Sequence, residues 1–394
     1  MTGGHRKPAG SRRPDTLIVT AGRDPAANHG FVNPPVYHAS TVLYESTDAY
    51  LEHRARYEYG RRGTPTTDAV TEALARLEGG HGTRLYPSGL AAITSLLLTF
   101  LNAGDHLLMT DGVYLPVRRF CDTFLARLGI ETTYYDPRIG AGVEELIRPA
   151  TRLVYTEAPS SLTMEMQDIP AIAAVARGRG IPVAMDNTWG TPLYCRPFDL
   201  GVDLSVHAAT KYICGHSDAM LGAVTANEAH WPRLLDGFNT LGQAAGPDDV
   251  YLAHRGLRTM AVRMERQMRS ALDIAAWLRE RPEVREVLYP PLPGDRGHEL
   301  WKRDFTGGAS LMSVLLKRPE RAAVTALIDA LELFGIGASW GGYESLVVPF
   351  DPNRHRAQRR WDYDGFAVRF HIGLEDPDDL KADLERGLAA LAAA

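Results

Sequence analysis

The sequence predicts an α/β protein: a mostly parallel sheet domain over residues 61–258, a smaller C-terminal α+β domain over 259–394 and an N-terminal arm over 1–60. Three observations carry this reading. Between Thr66 and about Asn227, helical and strand-like segments alternate at short spacing, as in βαβ units. The strand candidates are near-continuous apolar runs, so both faces of their sheet should be covered. From about Thr259 the pattern changes to one long helix followed by spaced strands.

Taken in order, a helix is expected from about Thr67 to Leu77, stopped at Gly79-Gly80, where a left-handed C-cap fits. A strand at Thr83 to Tyr86, a helix from Leu90 to Phe100 and a strand at His106 to Met109 follow. Further strands are expected at Glu131 to Tyr135, Arg152 to Thr156, Pro182 to Met185, Leu204 to Ala208 and Met220 to Thr225, with a helix at Ile169 to Arg177. A helix from Thr259 to near Arg279 carries Met260, Met264, Met268, Leu272 and Ile274 close to helical spacing, which reads as core filling. Strands at Val284 to Tyr289, Ser310 to Leu316, Phe334 to Ser339 and Phe366 to His371 precede a terminal helix from Asp376-Pro377 to Ala393. The arm, rich in Pro and Tyr and poor in periodic segments, reads as a segment that packs on something else, and its first 14 residues as disordered.

With 394 residues, 45% hydrophobic and 23% charged, the chain can bury large cores without disulfides or structural metal. Its 43 basic and 48 acidic residues leave a net charge of −5, which gives no electrostatic reason to expect nucleic acid or an anionic membrane as a partner, since either calls for a clustered basic face. The basic N-terminal segment is not followed by the apolar stretch of a signal peptide, so none is expected, and no apolar run reaches membrane-spanning length. Cys121, Cys195 and Cys214 form no CxxC pair and read as reduced thiols of a cytoplasmic protein.

Only five of the 43 basic residues are lysines, and Lys211 alone lies outside a charged, polar setting. It follows an apolar strand in Ser205-Val-His-Ala-Ala-Thr-Lys211, while a second strand, Ile181 to Met185, delivers Asp186. Both charges thus reach the carboxyl edge of the sheet, where ligands bind in open α/β folds. An ion pair at a domain seam is one explanation. The sharper one is a pyridoxal phosphate site, because that cofactor needs a lysine for its Schiff base and an acid to keep its ring nitrogen protonated. The phosphate also needs a cradle, and Tyr86-Pro-Ser-Gly-Leu90 ends a strand and opens a helix whose free N–H groups suit an anion, although Ser-Gly is also an ordinary cap. Elsewhere, Gly140-Ala-Gly142 lacks the third glycine of a dinucleotide fingerprint, and His216 and Asp218 read as hydrogen-bonding groups rather than metal ligands. Trp189 and Tyr343 are either substrate walls or core, and His371 reads as structural.

These motifs, with Tyr59-Gly-Arg-Arg-Gly-Thr64, Leu77-Glu-Gly-Gly80, Asp186-Asn-Thr-Trp189, Gly215-His-Ser-Asp218, Ser339-Trp-Gly-Gly-Tyr-Glu-Ser345 and Arg369-Phe-His-Ile-Gly373, run in order from about Asp15 to Leu391. Together they resemble the pyridoxal-phosphate enzymes of cysteine and methionine metabolism. The resemblance implies an aspartate-aminotransferase-like fold of type I and a homotetramer with active sites shared between subunits. It implies Lys211 as Schiff-base lysine and general base, and Asp186 as partner of the pyridine nitrogen. Gly89, Leu90 and Thr210 would bind the phosphate, joined across a subunit interface by Tyr59 and Arg61. Tyr114 would stack on the ring, Arg369 would hold the substrate α-carboxylate, and Ser339 and Trp340 would line the substrate side.

Within the family, Ala208, Trp340 and Arg62-Gly-Thr64 resemble the β-lyase branch, while the segment after Tyr114, Leu-Pro-Val-Arg-Arg119, lacks an acid that some β-lyases carry there. The activity implied is cleavage of the Cβ–S bond of L-cystathionine in transsulfuration and methionine biosynthesis. A γ-synthase, γ-lyase or sulfhydrylase is the alternative within the family, and a non-catalytic cofactor-binding module the alternative outside catalysis.

Overall fold

The computed structural model describes residues 13–358 and 360–394. Seven strands build the larger sheet: β1 (Gly82–Tyr86), β2 (His106–Thr110), β3 (Glu131–Tyr135), β4 (Thr151–Glu157), β5 (Val183–Asp186), β6 (Leu204–His207) and β7 (Gly222–Ala226). Their order is β1-β7-β6-β5-β4-β2-β3, parallel except where β7 runs antiparallel to β1 and β6. Alternate residues feed two cores, as strand geometry requires. Leu107, Tyr155, Ala184 and Val206 meet the helices Gly89–Phe100 and Trp231–Thr240 on one face. Leu108, Val154, Met185 and Ala223 meet Pro65–Glu78, Ile169–Gly178 and the long helix Pro247–Arg279 on the other.

Local chemistry explains the helix ends. Thr64 and Thr67 form a reciprocal capping box with Pro65 in the first turn, and Gly79 closes the helix at φ 80° in the left-handed region. Ser88 caps Gly89–Phe100 by accepting the Ala91 N–H at 3.1 Å.

The smaller sheet comprises β8 (Val284–Leu288), β9 (Leu311–Leu316), β10 (Gly335–Ile336), β11 (Leu346–Phe350) and β12 (Ala367–His371), ordered β10-β11-β12-β9-β8. It is antiparallel apart from the β10–β11 pair. Three expectations are corrected. The long helix begins at Pro247, not Thr259, with Pro at its start and Asp248 and Asp249 favourable in its first turn, so it runs across the expected 258/259 boundary. The strand expected over Phe334 to Ser339 is reduced to Gly335–Ile336, and β11 forms where no strand was expected. Of the tail expected to be disordered, residues 1–12 lie outside the described residues, while Pro14 opens the helix Pro14–Thr20, which buries Ile18. The arm leaves large apolar groups in solvent, Phe31 at 72% and Leu43 at 90% exposure.

Candidate active site

The carboxyl ends of β4, β5 and β6 bring the chemistry together. Asp186 closes β5, and its Oδ1 accepts the Thr188 N–H at 2.9 Å. Thr188 Oγ1 accepts the N–H of Ala208 at 2.8 Å, tying the exit of β6 to that of β5. Lys211 lies in the turn that follows, with its N–H on the Ala208 carbonyl at 3.0 Å and its own carbonyl taken by Gly215 N–H at 2.7 Å. Sequence separation is thus converted into proximity by two strand ends and one threonine.

Lys211 Nζ donates to Ser339 Oγ at 2.7 Å and sits 5.4 Å from the Trp340 ring centroid. Burial, and then the charge of Arg369, bring its pKa down to about 8. The loop bearing Ser339 and Trp340 packs directly on the lysine turn: a Cβ on Gly341, whose φ is +84°, would lie 2.9 Å from the Lys211 carbonyl carbon. Gly341 N–H donates to His371 Nε2 at 3.2 Å, and Nδ1 of the same ring meets Ser310 Oγ at 3.1 Å. Burial holds His371 down at about 4, so it is a neutral, bonded ring that anchors this loop.

Arg369 projects from β12 and is 7% exposed. No acid among the described residues pairs with it, and burial lowers its pKa to about 10. A buried guanidinium without a carboxylate partner suits a carboxylate from outside. Tyr114 lies within electrostatic reach of Arg369 and Asp186, and burial raises its phenol. Burial also raises Asp186, opposed by its Thr188 bonds and by the charges of His207 and Lys211.

Gly89 and Leu90 open the capped helix beside this cluster, and N–H groups in a first turn have no acceptor within the helix. The fit is close: a Cβ on Gly89 would come within 2.5 Å of Ala208 Cβ. An anion cradle, an amine of lowered pKa and a buried acid are together what pyridoxal phosphate requires of a protein, and the residues present fit that group.

The other three residues expected at the phosphate make contacts within the chain. Thr210 Oγ1 is engaged by the Leu221 backbone, accepting its N–H at 2.9 Å and donating to its carbonyl at 3.2 Å. Tyr59 and Arg61 make their contacts away from Lys211, Tyr59 bridging to Thr41 and Arg61 donating to the Asn239 carbonyl at 3.2 Å. Of the lesser candidates, Trp189 is core, donating through Nε1 to the Leu311 carbonyl, and Tyr343 is exposed. His216 Nδ1 bonds the Cys214 carbonyl at 2.8 Å, and all three cysteines are free and buried.

One acid escaped the sequence reading. Glu157 ends β4 as Asp186 ends β5, and the same signal, an acid closing a buried strand, would have found it.

Residues 15–389 match the sequence profile of the Cys/Met metabolism PLP-dependent enzymes. A protein of Rhizobium johnstonii, provisionally named a cystathionine β-lyase, is 54% identical over 383 residues, covering 96% of each chain. The cystathionine β-lyase MetC of Escherichia coli is 42% identical over 389 residues, covering 96% of this chain and 98% of its own. The crystal structure of metB from Corynebacterium glutamicum superposes with a TM-score of 0.89 at 33% identity, covering 98% of this chain and all of that one.

Proposed function

The chain belongs to the Cys/Met metabolism PLP-dependent enzymes, and from that membership we propose that it is a cystathionine β-lyase, cleaving the Cβ–S bond of L-cystathionine to homocysteine, pyruvate and ammonia. The observation that carries the proposal is the meeting of Lys211 Nζ, Asp186 and the unpaired Arg369 guanidinium at one sheet edge. The near full-length likeness to β-lyases favours chemistry at Cβ over the γ-acting alternative.

Bound pyridoxal phosphate supplies an aldehyde for the substrate amine and an electron-poor ring that takes up the electron pair left at Cα. Gly89 and Leu90 would hold its phosphate through backbone N–H groups. Asp186 would keep a proton on the ring nitrogen, Tyr114 would cover the ring, and Lys211 would supply the amine for its covalent attachment. Arg369 then clamps the α-carboxylate with a forked pair of donors. With a pKa near 8, Lys211 Nζ is partly neutral at working pH and takes the Cα proton as general base. The sulfur departs from Cβ with the bonding pair and takes up a proton, which the Lys211 ammonium can return, and the released aminoacrylate is hydrolysed by water to pyruvate and ammonia. Ser339 keeps Nζ oriented, and Trp340 walls the substrate side from water.

The same reading places the enzyme in the cytoplasm, in methionine biosynthesis, as a homotetramer. The exposed apolar arm supports assembly, and the exposed Tyr59, with Arg61 beside it on the same segment, fits a role at a neighbour's phosphate. Among the described residues no helix is long and apolar enough to cross a membrane. The decisive experiment is an absorbance spectrum of the purified protein followed by L-cystathionine, with pyruvate and 2-oxobutyrate quantified separately. A visible cofactor band with pyruvate is the expected result; 2-oxobutyrate would transfer the enzyme to the γ-lyases, and a missing band would withdraw catalysis.

A further inference from the structure

Glu157 and Asp186 are register partners at the ends of the parallel strands β4 and β5. Paired positions on adjacent strands project from the same face, so the two carboxyl groups leave the sheet side by side. Each residue is 8% exposed. Glu157 Oε2 accepts the backbone N–H of Tyr114 at 2.9 Å. The Glu157 carbonyl in turn accepts Gln167 Nε2 at 2.6 Å, and the fully buried Gln167 is fixed by the Tyr135 hydroxyl at 3.0 Å. A continuous set of contacts therefore runs from the sheet interior, through Glu157, to the residue placed over the cofactor ring.

Among the described residues no lysine or arginine pairs with Glu157. A buried carboxylate without a counter-ion is strongly disfavoured, and a second carboxylate beside it makes matters worse. Burial, and next the charge of Asp186, hold the Glu157 acid well above the usual carboxylate range. In its neutral form the carbonyl oxygen still accepts the Tyr114 N–H.

We propose that Glu157 is a positioning residue acting as a neutral acid: it hooks the Tyr114 backbone so that the phenol stays over the cofactor, and it leaves Asp186 as the single carboxylate facing the ring nitrogen. The proposal rests on the pyridoxal phosphate reading above and adds to it a residue that touches neither substrate nor reacting atoms.

The test uses cofactor binding rather than turnover. Apoprotein of the wild type, Glu157→Gln and Glu157→Ala is titrated with pyridoxal phosphate while visible circular dichroism is recorded, and apoprotein melting is followed as a structural control. The amide of Glu157→Gln keeps a neutral acceptor for the Tyr114 N–H, so its affinity and visible ellipticity should remain within about threefold of wild type. Loss of the hook in Glu157→Ala should weaken binding about tenfold and reduce the ellipticity, with melting of the apoprotein little changed. In a Tyr114→Leu background the alanine change should have no further effect on either readout.

Glu157→Gln matching Glu157→Ala would overturn the neutral-acid role, and wild-type binding and ellipticity in Glu157→Ala would overturn positioning altogether. If Glu157→Ala fails to fold, the glutamine variant decides alone: retention supports the proposal and loss refutes it. A wild-type protein that takes up no cofactor would sink the functional reading itself, a result separable from all of these.

Discussion

Asp111 and Arg356 form an enclosed ion pair, with Arg356 Nε 3.5 Å from Asp111 Oδ2 and side chains 5% and 0% exposed. The same carboxylate accepts the N–H groups of Ala357 at 2.9 Å and Gln358 at 3.0 Å, and also binds Arg118. Arg356 reaches on to Glu165 at 2.9 Å. Because Asp111 stands just upstream of Tyr114, this cluster pins a loop of the C-terminal half to the segment leading into Tyr114.

Removing one partner from such a cluster leaves buried charge uncompensated. Asp111→Ala should lower unfolding stability by about 3–5 kcal/mol, and Asp111→Ala with Arg356→Met should lose less than the sum of the two single changes. Urea unfolding of the three variants measures both quantities, and strict additivity would show that the two groups do not depend on each other.

Lys211→Ala should abolish pyruvate formation and the visible cofactor band together. Loss of a general base alone reduces rates by about 10²–10⁴-fold, and loss of the covalent attachment adds to it. Near wild-type turnover in this variant would remove Lys211 from the chemistry.

The lowered pKa of Lys211 also ties apoprotein stability to pH. With about 8 in the folded chain against an ordinary 10.5, the unfolded chain binds more protons between these values, so this lysine makes stability rise as pH increases from about 8 to 10.5. Urea midpoints of the apoprotein across that window should rise more for wild type than for Lys211→Ala, and equal slopes would place the lysine in ordinary solvent.

Arg369→Lys should raise KM for L-cystathionine at least about tenfold with a smaller change in kcat, because a point charge replaces two parallel donors. Steady-state kinetics separates the two parameters; an unaltered KM would argue that another group holds the α-carboxylate.

Asp186→Ala should leave circular dichroism in the far ultraviolet unchanged while turnover falls by about 10²-fold or more, since the ring nitrogen loses the anion that keeps it protonated. Full activity in this variant would mean that protonation of the ring is maintained by other means.

What could be read in the sequence was local. Ser88-Gly89 before an apolar helix, and Asp186 closing an apolar strand, announce themselves within a few residues, because capping and strand ends depend on neighbours in the chain. No strand was expected over Leu346–Phe350; β10 reaches only Leu346 and Val347, so at Pro349 the strand is an edge, where a missing N–H is tolerated. The start of Pro247–Arg279 lies ahead of the methionine-rich stretch that signals the helix in the sequence, although Val250, Ala253 and Leu257 are already buried there. Glu157 and Asp111 were invisible as partners because Tyr114 and Arg356 reach them across turns and domains that no local pattern encodes.

The contact between Gly89 and Ala208 carries a last consequence. With no room for even a methyl group between them, the helix start at Gly89 and the strand exit leading to Lys211 are locked together, and the equally close seat of Gly341 on the Lys211 turn ties Ser339 and Trp340 to the same unit. The lysine is thus clamped from both halves of the chain, so a change in how the halves sit would be felt at its amine.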